Sequence, residues 1–201
     1  MLKTLSISVG GVITLPSLMQ ILVSCEAQKE LEWKPVFFDR TQGFIVENLV
    51  KIILPRGKNI GAVDVNAPQF IDFILKDIIP EKVNSAIVKG GVIFQEKFET
   101  MFHKKVLEGT KDEFLELLSI YFKIPPDQQK KIFKIIQKEA DKVENEELYY
   151  IYKYLTFIRT YSLFGYYNSK VVGTEILNYN PVPGTYEACI DVSVVGNSSS
   201  I

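Results

Sequence analysis

Histidine is almost absent from this chain, and most of the chemistry that histidine serves is absent with it. The 201 residues hold one His, one Trp and two Cys. His103 stands beside Lys104 and Lys105, whereas acid–base and metal sites need several converging groups; it reads as a surface residue. No Cys-x-x-Cys-His run attaches a haem. No Gly-x-Gly-x-x-Gly follows a strand-like segment, and neither Gly10-Gly11 nor Gly90-Gly91 resembles a phosphate loop. The formal net charge is -1, so no basic footprint points to nucleic acid. There is no internal repeat. Glu144, Glu146 and Glu147 read as a solvated helix start, favoured there by the helix dipole. The sequence therefore predicts no catalytic residue, no cofactor-binding residue and no metal ligand of its own.

What is present begins with the first 25 residues. Lys3 precedes an uncharged stretch over residues 4–24, which ends in Leu22-Val23-Ser24-Cys25. A basic start, an apolar middle and a small residue before the cut are the parts of a secretory signal. A cysteine directly after that small residue resembles a bacterial lipobox, in which the cysteine is lipidated and becomes the first mature residue. On this reading residues 1–24 are a lipoprotein-type signal and Cys25 is the lipidation site. The mature protein is then extracytoplasmic and membrane-anchored. Two plainer readings stand beside it. The segment is long enough for an uncleaved membrane anchor, or it is a buried helix. Pro16 and the Gly10-Gly11 pair tell against both.

Residues 25–40 read as a linker, and residues 41–164 as one helical domain. Ile45, Leu49, Ile52 and Ile53 share a helical face that Pro55-Arg56-Gly57 stops. Asn66 is expected to cap the next helix, with Pro68 in its first turn and Ile71, Ile74, Leu75 and Ile78 as its stripe. A longer helix is expected over residues 85–108, lined by Val88, Gly91, Phe94, Phe98 and Phe102, with Gly90-Gly91 making its start irregular. Thr110 to Glu113 has the form of a capping box before Phe114, Leu117, Leu118 and Tyr121. Ile132, Ile136, Ala140 and Val143 mark another helix. The last, over residues 145–163, is apolar on much of its circumference, which suits the middle of a bundle or a surface that meets a partner. The fold class is all-α: a single bundle of about five or six helices, with an irregular extended arm over residues 165–201. A short strand over residues 189–195 is the one exception considered. If Cys25 carries lipid, Cys189 has no intramolecular partner. It is then a free thiol or the site of an intermolecular disulfide.

The arm carries the most specific pattern. Phe164-Gly165-Tyr166-Tyr167-Asn168-Ser169 is followed by Asn178-Tyr179-Asn180-Pro181-Val182-Pro183-Gly184-Thr185-Tyr186. This order resembles the C-terminal signature of the gluconate 2-dehydrogenase small-subunit family (subunit 3). The early run Ile53-Leu54-Pro55, Gly61-Ala62 and Pro68 before Phe70-Ile71-Asp72 is similar to the same family. The resemblance implies a non-catalytic accessory subunit with no cofactor of its own. Its implied partner is a large flavin-dependent alcohol or sugar dehydrogenase of the glucose-methanol-choline type, which holds the FAD, often beside a cytochrome c subunit. Many members carry a twin-arginine signal. Met1-Leu2-Lys3 resembles the end of such a motif without its arginine pair, which raises the expectation of a start further upstream. The signature residues Phe164, Gly165, Tyr166, Tyr167, Asn168, Ser169, Tyr179, Pro181, Pro183, Gly184 and Tyr186 are then the expected partner-binding set. The prolines stiffen the backbone and the tyrosines supply large contacts with a polar tip. The same tyrosines could instead pack the arm onto its own bundle. The rival function is a lipid-anchored helical binding or scaffold protein unrelated to redox chemistry.

Overall fold

The computed structural model describes residue 31, residues 33–179, residues 182 and 184, and residues 189–195. Residues 1–24 and Cys25 lie outside that set. The described chain is all-α, with α1 Arg40–Ile53, α2 Ala67–Asp77, α3 Glu81–Phe102, α4 Lys111–Phe122, α5 Pro126–Ile136, α6 Glu146–Tyr167 and the single turn α7 Val192–Val195. No strand occurs among the described residues. Residues 192–195 are helical, not extended.

Helix α6 is the axis of the bundle, and α1, α2, α3 and α5 all pack on it. This is why its sequence is apolar nearly all round: Tyr149, Ile151, Tyr152, Tyr154, Leu155, Ile158, Ser162 and Tyr166 are all buried. Its N-cap is Asn145, whose side chain accepts from the Leu148 amide at 2.9 Å.

Helix α3 starts at Glu81 and is continuous through Gly90-Gly91, which corrects the expectation of an irregular start at residue 85. A Cβ on Gly90 would lie 2.2 Å from the Tyr150 carbonyl oxygen and 2.7 Å from Tyr154 Cβ. The glycine lets α3 and α6 meet backbone to backbone. The buried stripe of α3 is Ile87, Gly90, Gly91, Phe94 and Phe98; Val88, expected inside, faces solvent. The helix stops at Phe102 because His103 turns left-handed, with φ 53°. Residues Val106–Glu108 form a separate 3-10 turn.

The stretch before α1 is part of the domain, where the sequence suggested a linker. Phe38 is buried. The backbone amides of Val36, Phe37 and Phe38 donate to the Asp72 carboxylate at 2.7, 3.1 and 2.9 Å. Asp72 is itself buried, and this array satisfies the charge that burial would otherwise leave costly. Trp33 Nε1 donates to Glu47 at 3.0 Å. Asp39 caps α1 by accepting from the Gln42 amide at 2.7 Å.

The capping box forms as expected: the Thr110 amide donates to Glu113 at 2.7 Å and the Glu113 amide returns to Thr110 Oγ1 at 3.4 Å. Asn66 does not cap α2 through its side chain. It sits at φ 59° and closes the 3-10 turn Val63–Val65, with its amide donating to the Val63 carbonyl. Helix α5 ends at Ile136, short of Ala140 and Val143, which fall in and after a 3-10 turn.

A candidate subunit interface at the end of α6

The signature does not leave the helix at residue 164. Helix α6 runs on to Tyr167, so Phe164, Gly165, Tyr166 and Tyr167 occupy its last turn. Asn168 closes it: its backbone amide and its Nδ2 both donate to the Phe164 carbonyl, at 3.0 and 2.8 Å. Ser169 Oγ donates to the Tyr166 carbonyl at 2.8 Å and accepts from the Val172 amide at 3.4 Å. The chain then coils again as the π-helical turn Val172–Ile176, with Val172 fully buried. The irregular arm expected from residue 165 therefore begins only beyond this turn.

Within that turn the signature residues divide by direction. Gly165 faces inward: a Cβ there would lie 2.7 Å from Phe70 Cδ1. Tyr166 is buried and donates its hydroxyl to the Ile60 carbonyl at 3.1 Å. Burial pushes its pKa upward, so it stays a donor. Ile60 lies in a loop that is itself fixed. The Gly61 amide donates to Asp64 at 2.6 Å, Arg56 donates to the same carboxylate at 2.9 and 2.6 Å, and the Ala62 amide donates to Leu54. The Arg56 hydrogen bond is the main cause that lowers the Asp64 pKa. The two distant halves of the sequence pattern, residues 53–72 and 164–169, thus join through Tyr166 and Phe70.

Phe164, Tyr167 and Tyr179 face outward and are 53%, 52% and 58% exposed. Phe164 stacks on Phe70 at 6.0 Å and meets Tyr161 edge-on at 6.4 Å, and Tyr161 lies 4.4 Å from Phe157. These aromatics form a ladder up one face of α6, extended across to α2. Gly184 is exposed, with open space around its Cα. Pro181, Pro183 and Tyr186 lie outside the described residues. Cys189 is exposed with a free thiol. Phe70 was legible as part of a motif, but its role was not; nothing in the local sequence says that residues 70 and 165 touch.

The chemistry elsewhere is sparse. His103 is exposed. Among the described residues no three His, Cys, Asp or Glu side chains come together as a metal-binding group. No helix among them is long and apolar enough to cross a membrane.

The sequence signature of this all-α bundle thus lies at the end of α6, divided between residues that tie the helix to the bundle and residues that face outward. Residues 40–184 match the family model for gluconate 2-dehydrogenase subunit 3, and the chain belongs to that family. No curated protein and no solved structure matches it.

Proposed function

We propose that this chain is the small, non-catalytic subunit of a membrane-associated, flavin-dependent alcohol or sugar dehydrogenase. Its work is to support export, maturation or stability of the large subunit, which holds the FAD. A cytochrome c subunit is a further partner on this reading, and a lipid on Cys25 is the tether that keeps the complex on the extracytoplasmic face in a bacterium. The observation that carries the reading is the division of the family signature. Gly165 and Tyr166 hold the end of α6 in place while Phe164, Tyr167 and Tyr179 stay half exposed. Exposed aromatics on a rigid frame are the usual anchors of protein interfaces, because little freedom is lost on docking. Family membership tells against the rival of a scaffold unconnected to redox chemistry.

The test is co-expression with a candidate large flavin-dependent dehydrogenase subunit of the glucose-methanol-choline type. The two chains should co-purify with a flavin absorbance spectrum, and the small chain alone should carry no flavin and oxidise no alcohol or sugar. Stoichiometric flavin on the isolated small chain, or no flavoprotein in the complex, would sink the reading.

A further inference from the structure

A second surface lies on a different face of α6 and owes nothing to the signature. Helices α4, α5 and α6 enclose an open groove of about 300 Å³ walled by Tyr121, Phe122, Ile132, Phe133 and Tyr152. A second groove of about 300 Å³ runs between α1 and α4 along Ile53, Leu115, Leu118 and Phe122. Phe122 and Arg159 line both, so the two form one apolar track with a guanidinium at its centre. Phe122, Phe133 and Leu115 are 39%, 56% and 44% exposed. The wall is stiff, since Tyr152 donates to the Tyr121 carbonyl at 3.0 Å and the two rings meet edge-on at 5.7 Å.

The charge along this track has one sign. Arg159 and Lys123 line it, and no Asp or Glu does. Among the described residues neither cation forms an ion pair. Arginine is the side chain suited to this place: its planar fork takes a carboxylate in two parallel hydrogen bonds, and it sheds water more readily than an ammonium. Helix α5 has no buried residue and rests on the bundle through half-buried Ile132 and Ile136, so one wall of the groove would gain cover from an occupant.

We propose that this track is a docking site for a polypeptide segment of the large dehydrogenase subunit, apolar on both sides of an Asp or Glu that pairs with Arg159. The proposal rests on the accessory-subunit reading. A protein segment suits the track better than a lipid surface does. Attraction to anionic lipid needs a cluster of basic residues, whereas only two cations, Arg159 and Lys123, line this track, set among two shaped apolar grooves.

The test uses the full chain, with association to the co-expressed large subunit titrated by interferometry and the helical content and melting of each variant checked by circular dichroism. Arg159→Glu should weaken association at least tenfold, in the range of interface hot spots. Arg159→Lys should weaken it less, and Phe133→Ala should also weaken it, each with unchanged melting. If Arg159→Glu and Phe133→Ala bind as tightly as the parent, the docking track is refuted while the subunit reading stands. If the parent itself captures no flavoprotein, both fall together. If the variants keep the flavoprotein but lose binding to phosphatidylglycerol vesicles that the parent shows, the track faces lipid and the proposal is overturned.

Discussion

Replacing Gly90 by Ala sets two known effects against each other. Alanine is favoured over glycine inside a helix by about 1 kcal/mol, and Gly90 sits in the middle of α3. On propensity alone the variant should be more stable. The added methyl, however, would stand 2.2 Å from the Tyr150 carbonyl oxygen and 2.7 Å from Tyr154 Cβ, against ordinary contact at 3.4 Å or more. Neither neighbour is the far end of a flexible side chain. The two long helices must part by about 1 Å, and close-packed interiors resist that. Overpacking of this kind costs about 1–3 kcal/mol, occasionally more, and here the seam involved also buries Ile87, Phe94 and Tyr154. The cost exceeds the propensity gain, and we expect a net loss of about 1–3 kcal/mol. Urea unfolding should show a lower midpoint with an unchanged slope, since the surface exposed on unfolding stays the same. Gly57→Ala is the control: nothing lies within 4 Å of a Cβ there, so it should be neutral or gain a few tenths of a kcal/mol, about 0.4. A Gly90→Ala protein as stable as the parent would falsify the claim that this glycine exists for the α3–α6 approach.

Tyr166→Phe removes the hydrogen bond to Ile60 and should lower stability by about 0.5–1.5 kcal/mol, whereas Tyr167→Ala should leave melting nearly unchanged and weaken association with the large subunit by roughly 1–3 kcal/mol. The Lys104 ammonium, with the Thr110 amide and hydroxyl, holds Glu113 down at about 2 from its ordinary 4.5. A depressed carboxylate stabilises the fold above its unfolded pKa and loses that effect as pH falls through the folded one. The melting difference between parent and Glu113→Gln should therefore be full above about pH 5 and vanish near pH 2; a difference independent of pH would contradict it. Cys25→Ala should abolish lipid labelling and leave an unprocessed precursor, and an unchanged mature mass and membrane fraction would rule lipidation out. A chain cut after Leu177 should fold yet bind the large subunit more weakly, while one cut after Leu163 should be destabilised because it loses Tyr166 and Val172. Equal stability of the two truncations, read by circular dichroism, would count against the inward role of the signature.

Features whose partners lie close in sequence were legible. The Thr110–Glu113 box spans one turn and formed as read, and the spacing of Phe114, Leu117, Leu118 and Tyr121 gave the buried face of α4. Features whose partners lie far away were not. Gly90-Gly91 looks like a weak helix start until Tyr150 is placed against it. Residues 33–38 look like a polar-to-aromatic linker until Asp72 gathers their amides. Asn66 has the composition of a cap, but a left-handed turn suits Asn equally well, and the turn prevailed. The end of α6 differs for a similar reason. Residue 165 reads as the start of an irregular arm, yet the lack of a side chain at Gly165 is used to seat Phe70, and the helix continues. Of the candidate interface, the ordered pattern of residues was visible in the sequence and pointed to the family that the match over residues 40–184 establishes. Which residues face in and which face out was not, because that depends on Phe70 and Ile60.

The division has a consequence for how a partner can be held. Sequence reasoning assigned stiffness to Pro181 and Pro183, which lie outside the described residues. In the described chain the stiffness comes from elsewhere: Tyr166 is bonded to Ile60, Gly165 is seated on Phe70, and Asn168 and Ser169 close the helix end. Phe164 and Tyr167 are therefore presented by a helix end that is tied to the bundle on two sides, and ordering them on docking costs little. The aromatic ladder of Phe157, Tyr161 and Phe164 and the stripe of Tyr152, Thr156 and Arg159 each repeat at helical spacing, and they occupy different faces of α6. One helix thus carries both surfaces, and the same burial of Ile158, Ser162 and Tyr166 fixes the orientation of both. A partner that reads both must span the exposed side of the C-terminal half of α6. A double-mutant cycle of Arg159→Glu and Tyr167→Ala measures whether the partner reads the two surfaces independently, since independent contacts add and coupled ones do not.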